Sequence, residues 1–341
     1  MTVGIGAVVV AQGASWPAAA AVPTCFGQPA TIVGTDGRDV LDGTAGPDVI
    51  VGGKGRDTIR GLGGDDKICA GPNKLSLTQN GAPRYEEVFG GDGNDQIRGG
   101  AGYDLVFGDA GDDVASLGNS PSVTGVTEEG PFTYAELAFG GLGDDRLDGD
   151  NGPDRLQGAE GNDVLRSGPG PMAPFFDFDM YGGEGDDILI ADADGQIMAG
   201  GPGDDVLRGG AGDDRLFEDF DVPPTDALGT DVMDGGPGND SIVSNGGPDA
   251  LQGGPGDDRI SGGQEPEHLV GGTGDDILTG GDGDDQHVAM CDGVGSVGVR
   301  EHGDLGRQLE AGDRALVGAG ALEGERRRLI DLPQRDVVTV A

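Results

Sequence analysis

A spacing of nine governs this sequence. Gly52-Gly53-Lys54-Gly55-Arg56-Asp57-Thr58-Ile59-Arg60 runs straight into Gly61-Leu62-Gly63-Gly64-Asp65-Asp66-Lys67-Ile68-Cys69, and the same frame restarts at residues 90, 140, 182, 200, 235, 253 and 271. Each unit reads G-G-x-G-x-D-x-U-x, with U apolar. About twenty such units, two of them degenerate, cover roughly 180 residues, and that many in register indicate a nonapeptide solenoid.

Each position has a physical reason. Glycine reaches backbone conformations closed to other residues, so G-G-x-G makes a tight turn that brings carbonyl oxygens inward. Position 6 adds a carboxylate. Position 8, held by Leu41, Ile50, Ile59, Ile68, Ile97, Leu147, Leu165, Leu189, Leu207, Ile242 and Ile260, supplies one inward apolar side chain on a very short strand. Two units then make one turn of the coil. Carboxylate and carbonyl oxygens, with no Cys or His beside them, select calcium over zinc or copper, and the strict octahedral demand of magnesium disfavours it.

In this pattern the chain resembles the RTX family, the haemolysin-type calcium-binding repeat proteins. The resemblance implies an all-β fold, a parallel β-roll (β-solenoid) with calcium ions in rows along its edges, held by position-6 carboxylates and loop carbonyls. Carried over by motif, the metal ligands are Asp39, Asp48, Asp57, Asp66, Asp95, Asp104, Asp113, Asp145, Asp154, Asp163, Asp187, Asp205, Asp214, Asp240, Asp249, Asp258, Asp276 and Asp285. Residues 191–199 depart from the pattern, lacking its glycines and Asp, as do residues 262–270, where Glu265 and Glu267 stand for Gly and Asp.

Four irregular stretches, 70–89, 117–139, 167–181 and 218–234, interrupt the repeats. Glu86-Glu87-Val88-Phe89 and Asp231-Val232-Met233-Asp234 fit positions 6 to 9, so each stretch reads as a swollen loop within one half-turn. Alternate counting places the first three insertions on one edge of the roll; past residue 209 the phase is open. The opposite edge carries Pro47, Asp65, Asn94, Asp112, Asp144, Asn162, Asp186 and Asp204 at position 5, where the interrupted edge has Arg38, Arg56, Tyr103 and Pro153. The continuous edge, with Asp48, Asp66, Asp95, Asp113, Asp145, Asp163, Asp187 and Asp205, is therefore the one expected to hold metal in an unbroken row.

Composition fixes how such a roll can fold. With 62 Asp and Glu against 21 Lys and Arg, the net charge is -41, which argues against nucleic acid or an anionic membrane as partner and makes cations the natural ligands. One apolar side chain per nine residues cannot offset the entropy of ordering the chain, and rows of carboxylates repel one another. Calcium binding and folding are expected to be one event.

Cys25 precedes the first unit and Cys69 closes the fourth, a spacing that resembles exported proteins of this repeat class and implies a Cys25–Cys69 disulfide; Cys291 is left over. His268, His287 and His302 are too scattered for a metal site or triad, and G-x-S-x-G, H-E-x-x-H and P-loop motifs are absent. The non-repeat flanks, about 33 and 50 residues, are below the usual size of a catalytic domain. Residues 1–24 read as a secretory signal, with Ala18 to Ala21 near its end but no Lys or Arg before Arg38, or else as a frayed Ala-rich terminus. Residues 25–292 form the roll. The tail, 293–341, carries seven basic residues and is either a capping helix across 305–332 or disordered. The expected function is a secreted structural or interaction module, not an enzyme. Alternatives are the calcium-binding part of a larger secreted hydrolase, or an adhesion protein. The adhesion reading rests on Tyr85, Phe89, Phe132, Tyr134, Phe175, Phe176, Phe178 and Tyr181, which would contact an extracellular protein or glycan from the swollen loops or else cover the side of the roll.

Overall fold

Alternation of Gly-rich turns with three-residue apolar-centred strands leaves the backbone one economical course, a coil that lays each strand beside the one two units earlier. The computed structural model describes residues 21–72, 84–119, 135–169, 178–192, 195–218, 229–263 and 265–281. It also describes the backbone of Val9–Val10, Thr124–Thr127, Gly130–Thr133, Gln286–Cys291, Gly298–Arg300 and Arg314–Ala319. No helix occurs among the described residues. The chain divides into two compact units, Met1–Asp179 and Met180–Ala341.

In the first unit, sheet I comprises Val9–Val10, Ile32–Val33, Val49–Val51, Lys67–Pro72, Gln96–Ala101, Val114–Asn119, Arg146–Asp148 and Val164–Arg166. Sheet II comprises Val40–Asp42, Thr58–Gly63, Glu86–Asp92, Asp104–Ala110, Glu136–Leu142 and Asp154–Glu160. All neighbours within each sheet are parallel. Position 8 stacks on position 8: Ile50, Ile68, Ile97, Ala115, Leu147 and Leu165 form one buried column. Leu41, Ile59, Val88, Val106, Ala138 and Leu156 form the other. The second unit repeats the plan, with Leu189, Leu207, Met233, Leu251 and Leu269 against Met180, Met198, Leu216, Ile242, Ile260 and Leu278. Each unit is a parallel β-roll.

Loops that lead into sheet I form edge I, and loops that lead into sheet II form edge II. Insertions 70–89, 117–139 and 167–181 all run from a sheet I strand to a sheet II strand, on edge II as expected. The expectation of insertions on a single edge needs one correction. The fourth, 218–234, follows the sheet II strand Arg215–Phe217 and precedes the sheet I strand Val232–Asp234, so it lies on edge I. The degenerate unit 191–199 still contributes a strand, Ile197–Ala199, and so keeps the alternation in step up to that point.

At the start of the chain, Thr24–Cys25 and Gln28–Pro29 make a small antiparallel hairpin turned at Phe26 and Gly27. Cys25 is joined to Cys69 by a disulfide with Cα atoms 5.7 Å apart. Cross-linking residues 44 apart restrains the unfolded chain by about 4 kcal/mol in the chain-entropy picture. The Phe26 ring packs over the Arg98 guanidinium at 4.6 Å. Of the expected export segment, only Val9–Val10 and residues 21–24 are described; in the tail, a strand at Arg314–Ala319 stands within the stretch expected as helix, and apart from it and the strand Gly298–Arg300 the tail lies outside the described residues.

Candidate metal ladders

Edge I of the first unit is built from two rows of side chains, each bonded to the backbone of a neighbouring turn. At position 6 the N–H groups of Asp48, Asp66, Asp95, Asp113 and Asp145 donate to Oδ1 of Asp66, Asp95, Asp113, Asp145 and Asp163, each at 2.7 Å. At position 5 the bonds run the other way. The N–H groups of Asn94, Asp112, Asp144 and Asn162 donate to Oδ1 of Asp65, Asn94, Asp112 and Asp144 at 2.9–3.2 Å. Asp and Asn each carry an acceptor oxygen at the length that reaches the neighbouring turn's backbone, which fits their filling position 5 on this edge after Pro47.

One oxygen of each position-6 carboxylate is thereby satisfied, and the other is not. Oδ2 of Asp66, Asp95, Asp113 and Asp145 is buried with no hydrogen-bond donor among the described residues. A Cβ placed on Gly61, Gly90, Gly108 or Gly140 would fall 2.1–2.3 Å from that Oδ2 and 2.3–2.7 Å from the carbonyl oxygen of the equivalent glycine one turn on. The position-1 glycine is thus a cradle in which a carboxylate oxygen and a carbonyl oxygen of the adjacent turn converge. Among the described residues no three His, Cys, Asp or Glu side chains gather at one point, so a cation between turns would draw much of its shell from backbone carbonyls. That donor set, hard oxygen throughout, fits calcium.

Burial without a counter-charge pushes these carboxyls up. Asp113 rises to about 8, Asp95 and Asp145 to about 7, and Asp66 and Asp163 to about 6, in each case mainly by desolvation. Neighbouring carboxylates add to the rise in Asp66, Asp95, Asp113 and Asp145, through Asp48, Asp66, Asp145 and Asp163 respectively, and Asp144 does so for Asp163. A buried row of this kind is stable only when protonated or paired with cations.

The second unit carries such rows on both edges. On edge I the N–H of Asp187, Asp205 and Asp231 donate to Oδ1 of Asp205, Asp231 and Asp249. On edge II Gln196, Asp214, Asp240 and Asp258 donate to Asp214, Asp240, Asp258 and Asp276. Oδ2 of Asp205, Asp231, Asp240, Asp258 and Asp276 is buried without a donor. Asp231 is absent from the motif-derived ligand set, because the fourth insertion removed the glycines that flag a unit; only the strand phase of Asp231 to Asp234 points to it.

Edge II of the first unit differs. Position 6 reads Asp39, Asp57, Glu86, Asp104, Glu136 and Asp154, and the carboxyls act on one another: the neighbouring Glu86 carboxyl offsets part of the rise in Asp57, and that of Glu136 part of the rise in Asp154. Desolvation raises Asp57 to about 6 and holds Asp154 well above the usual carboxylate range. Asp104, Asp163, Asp187 and Asp214 are buried at the expected places. Asp39, Asp48 and Asp249 are there too, but their Oδ2 accepts bonds from Thr35, Thr44 and Ser244 of their own loops. Asp285 lies outside the described residues.

The aromatic side chains divide as well. Phe89, Phe107 and Phe139 stack face to face on the outside of sheet II with centroids 5.0 Å apart, and Tyr85 meets the buried Tyr103 edge-on. These rings cover the side of the roll. Tyr134, Phe175 and Phe176 lie outside the described residues. His268 is exposed.

Two comparisons bear on this geometry. The family of RTX calcium-binding nonapeptide repeats matches residues 31–71, 88–119, 139–171, 180–195, 193–217, 234–265 and 262–286, more than half of the chain. No curated protein matches it.

Proposed function

Because the chain belongs to the RTX calcium-binding nonapeptide repeat family, we propose that it is an exported protein whose roll folds as calcium binds and serves as a structural or interaction module, not a catalyst. One observation carries this reading: the rows of buried Oδ2 atoms that no donor among the described residues satisfies. Asp66, Asp95, Asp113 and Asp145 would hold calcium on edge I of the first unit, and Asp205, Asp231, Asp240, Asp258 and Asp276 in the second. Bound calcium supplies the positive charge that lets neighbouring carboxylates ionise together. The glycines give the carbonyls their close approach, and the position-5 and position-6 bonds hold successive loops in register.

Export is supported by the Cys25–Cys69 disulfide, since such bonds persist in oxidising compartments. It also supplies the switch, because extracellular calcium modules bind at about 0.1 to 1 mM, far above cytoplasmic calcium. In this reading residues 1–24 direct export, 25–292 form the roll and 293–341 follow it.

The test is far-UV circular dichroism of the chain during a calcium titration, with magnesium as control. A cooperative gain of β-structure with calcium alone is expected. Full β-structure in chelator at neutral pH would refute metal-coupled folding.

A further inference from the structure

We propose that residues 22–72 form a cap that orders without calcium, that loops 34–39 and 43–48 take no ion, and that the calcium-dependent turns build onto this cap. The proposal rests on the calcium reading for the remainder of the roll, and its own basis is a change in chemistry between neighbouring turns.

The carboxylates of the first two loops are satisfied from within the protein. Asp39 Oδ2 accepts the Thr35 N–H at 2.6 Å and the Thr35 hydroxyl at 2.8 Å. Asp48 Oδ2 accepts the Thr44 N–H at 2.7 Å, and its Oδ1 accepts the Thr31 hydroxyl at 3.0 Å. Threonine stands here at position 2 without the left-handed backbone that Gly53, Leu62, Gly91 and Gly100 take there, which leaves its N–H on the carboxylate of its own loop. On edge I the carboxylate has swung with that bond: Asp48 Oδ2 lies 3.2 Å from the Cβ direction of Gly43, against 2.1–2.3 Å for the Oδ2 atoms at Gly61, Gly90, Gly108 and Gly140. Asp66 is the first edge I carboxylate whose Oδ2 is left without a donor, and marks where ion binding begins.

Side chains also take over the role of cations in the cap. Arg38 and Arg56 occupy position 5 of successive edge II loops, and Arg56 feels the charges of Arg38, Arg84 and Glu87. Lys54 pairs with Asp36 at 2.8 Å and Arg60 with Asp42 at 3.1 Å. Residues 22–72 hold five basic against seven acidic side chains, whereas residues 84–119 hold two against eight. The cap thus escapes the repulsion that keeps the rest of the chain unfolded without metal.

The cap has, moreover, a second small core of its own. Cys25, Ala30, Val33 and Val49 are buried together outside the roll's inner columns, with Val22, Phe26, Val51 and Cys69 packed against them. The disulfide ties this cluster to the fourth repeat unit.

Hydrogen exchange followed by mass spectrometry on the full chain tests the proposal. In chelator at pH 7.5, amides of Val49–Val51, Thr58–Gly63 and Lys67–Pro72 are expected to exchange at least ~100-fold more slowly than those of Gln96–Ala101 and Val114–Asn119. Cys25→Ser should abolish that difference, while calcium should protect both regions of the wild type. In parallel, Asp48→Asn should bind as many calcium ions as the wild type, and Asp95→Asn about one fewer. Equal, fast exchange of both regions in chelator overturns the cap, as does loss of an ion in Asp48→Asn. Protection of residues 49–72 in a wild-type chain that binds no calcium would uphold the cap and sink the calcium reading instead.

Discussion

Edge I of the first unit repeats Asp or Asn at position 5 from turn to turn after Pro47, and Asp at position 6 without exception. Edge II, fed by the same glycine-turn backbone, reads Arg38, Arg56, Tyr85, Tyr103, Ala135 and Pro153 at position 5 and mixes Glu86 and Glu136 with Asp at position 6. At Gly61, Gly90, Gly108 and Gly140 of edge I the second carboxylate oxygen sits 2.1–2.3 Å from the glycine's Cβ direction; at Gly52, Gly99 and Gly149 of edge II it lies 2.6–3.1 Å away. The difference teaches that the roll does not need the same device on both sides. One edge can be fastened by cations in register, and the other by carboxyl pairs, guanidinium groups and buried tyrosine.

The strongest way to break this comparison is to remove one carboxylate from each edge. Asp113→Ala takes out the most heavily desolvated ligand of the edge I row along with the Oδ1 that receives the Asp95 N–H. It should release about one calcium ion and raise the calcium concentration at the folding midpoint severalfold. Asp57→Ala leaves Glu86 to be protonated or solvated, and should cost stability of about 1 to 2 kcal/mol without loss of an ion. Equilibrium dialysis with radioactive calcium, together with thermal melts in saturating calcium, distinguishes them. Equal ion loss in both variants would show that the two edges are alike.

Much of this was legible in the repeat. The nine-residue period determined the two-sheet roll, and position 8 named the core at Ile50, Ile59, Ile68 and their successors, because one apolar residue per strand leaves no alternative inward side chain. Alternate counting separated the edges and placed the first three insertions. The sequence pattern could not separate Asp48 from Asp66, both of which match the motif. What parts them is the backbone at position 2: the Thr44 N–H donates to Asp48 Oδ2, whereas Leu62 turns left-handed at φ 78° and Asp66 Oδ2 receives no donor among the described residues. Asp231 was hidden for the opposite reason, since its loop lost the glycines while its strand kept the register.

A smaller effect follows from proton competition. The carboxyls of Asp66, Asp95, Asp113 and Asp145 are raised from 3.8 to between about 6 and about 8. A raised folded value means that the metal-free roll binds protons more tightly than the unfolded chain, so its stability is fullest below 3.8 and is lost as pH rises through 6 to 8. In chelator, β-structure should therefore be greatest near pH 4 and fade by pH 8. With calcium the order reverses, because the ion must displace those protons; the calcium midpoint should rise about tenfold from pH 8 to pH 6. Asp113→Asn should flatten that dependence more than Asp57→Asn, and a midpoint independent of pH would mean that the edge I carboxylates are not desolvated.

The subtlest contrast concerns position 2, where the backbone turns left-handed on both edges. On edge I, Leu62 adopts φ 78° with half its side chain exposed, while Gly91 and Gly141 hold the same place at 113° and 122°. Leu62→Gly removes a strain of about 1 to 2 kcal/mol and gives back part of it as chain entropy, for a net gain of about 0.5 kcal/mol. On edge II, Asp150 adopts φ 62°, but its carboxylate accepts the Ser116 hydroxyl of the preceding sheet I strand. Asp150→Gly relieves a smaller strain, because Asp tolerates this region, and loses that bond, for a net loss of about 0.5 to 1 kcal/mol. Opposite shifts in the calcium-loaded melting temperature are expected. Shifts of the same sign would mean that position 2 acts through the turn alone, and that on edge II side-chain bonds to the backbone's neighbours do not substitute for what the ions fasten on edge I.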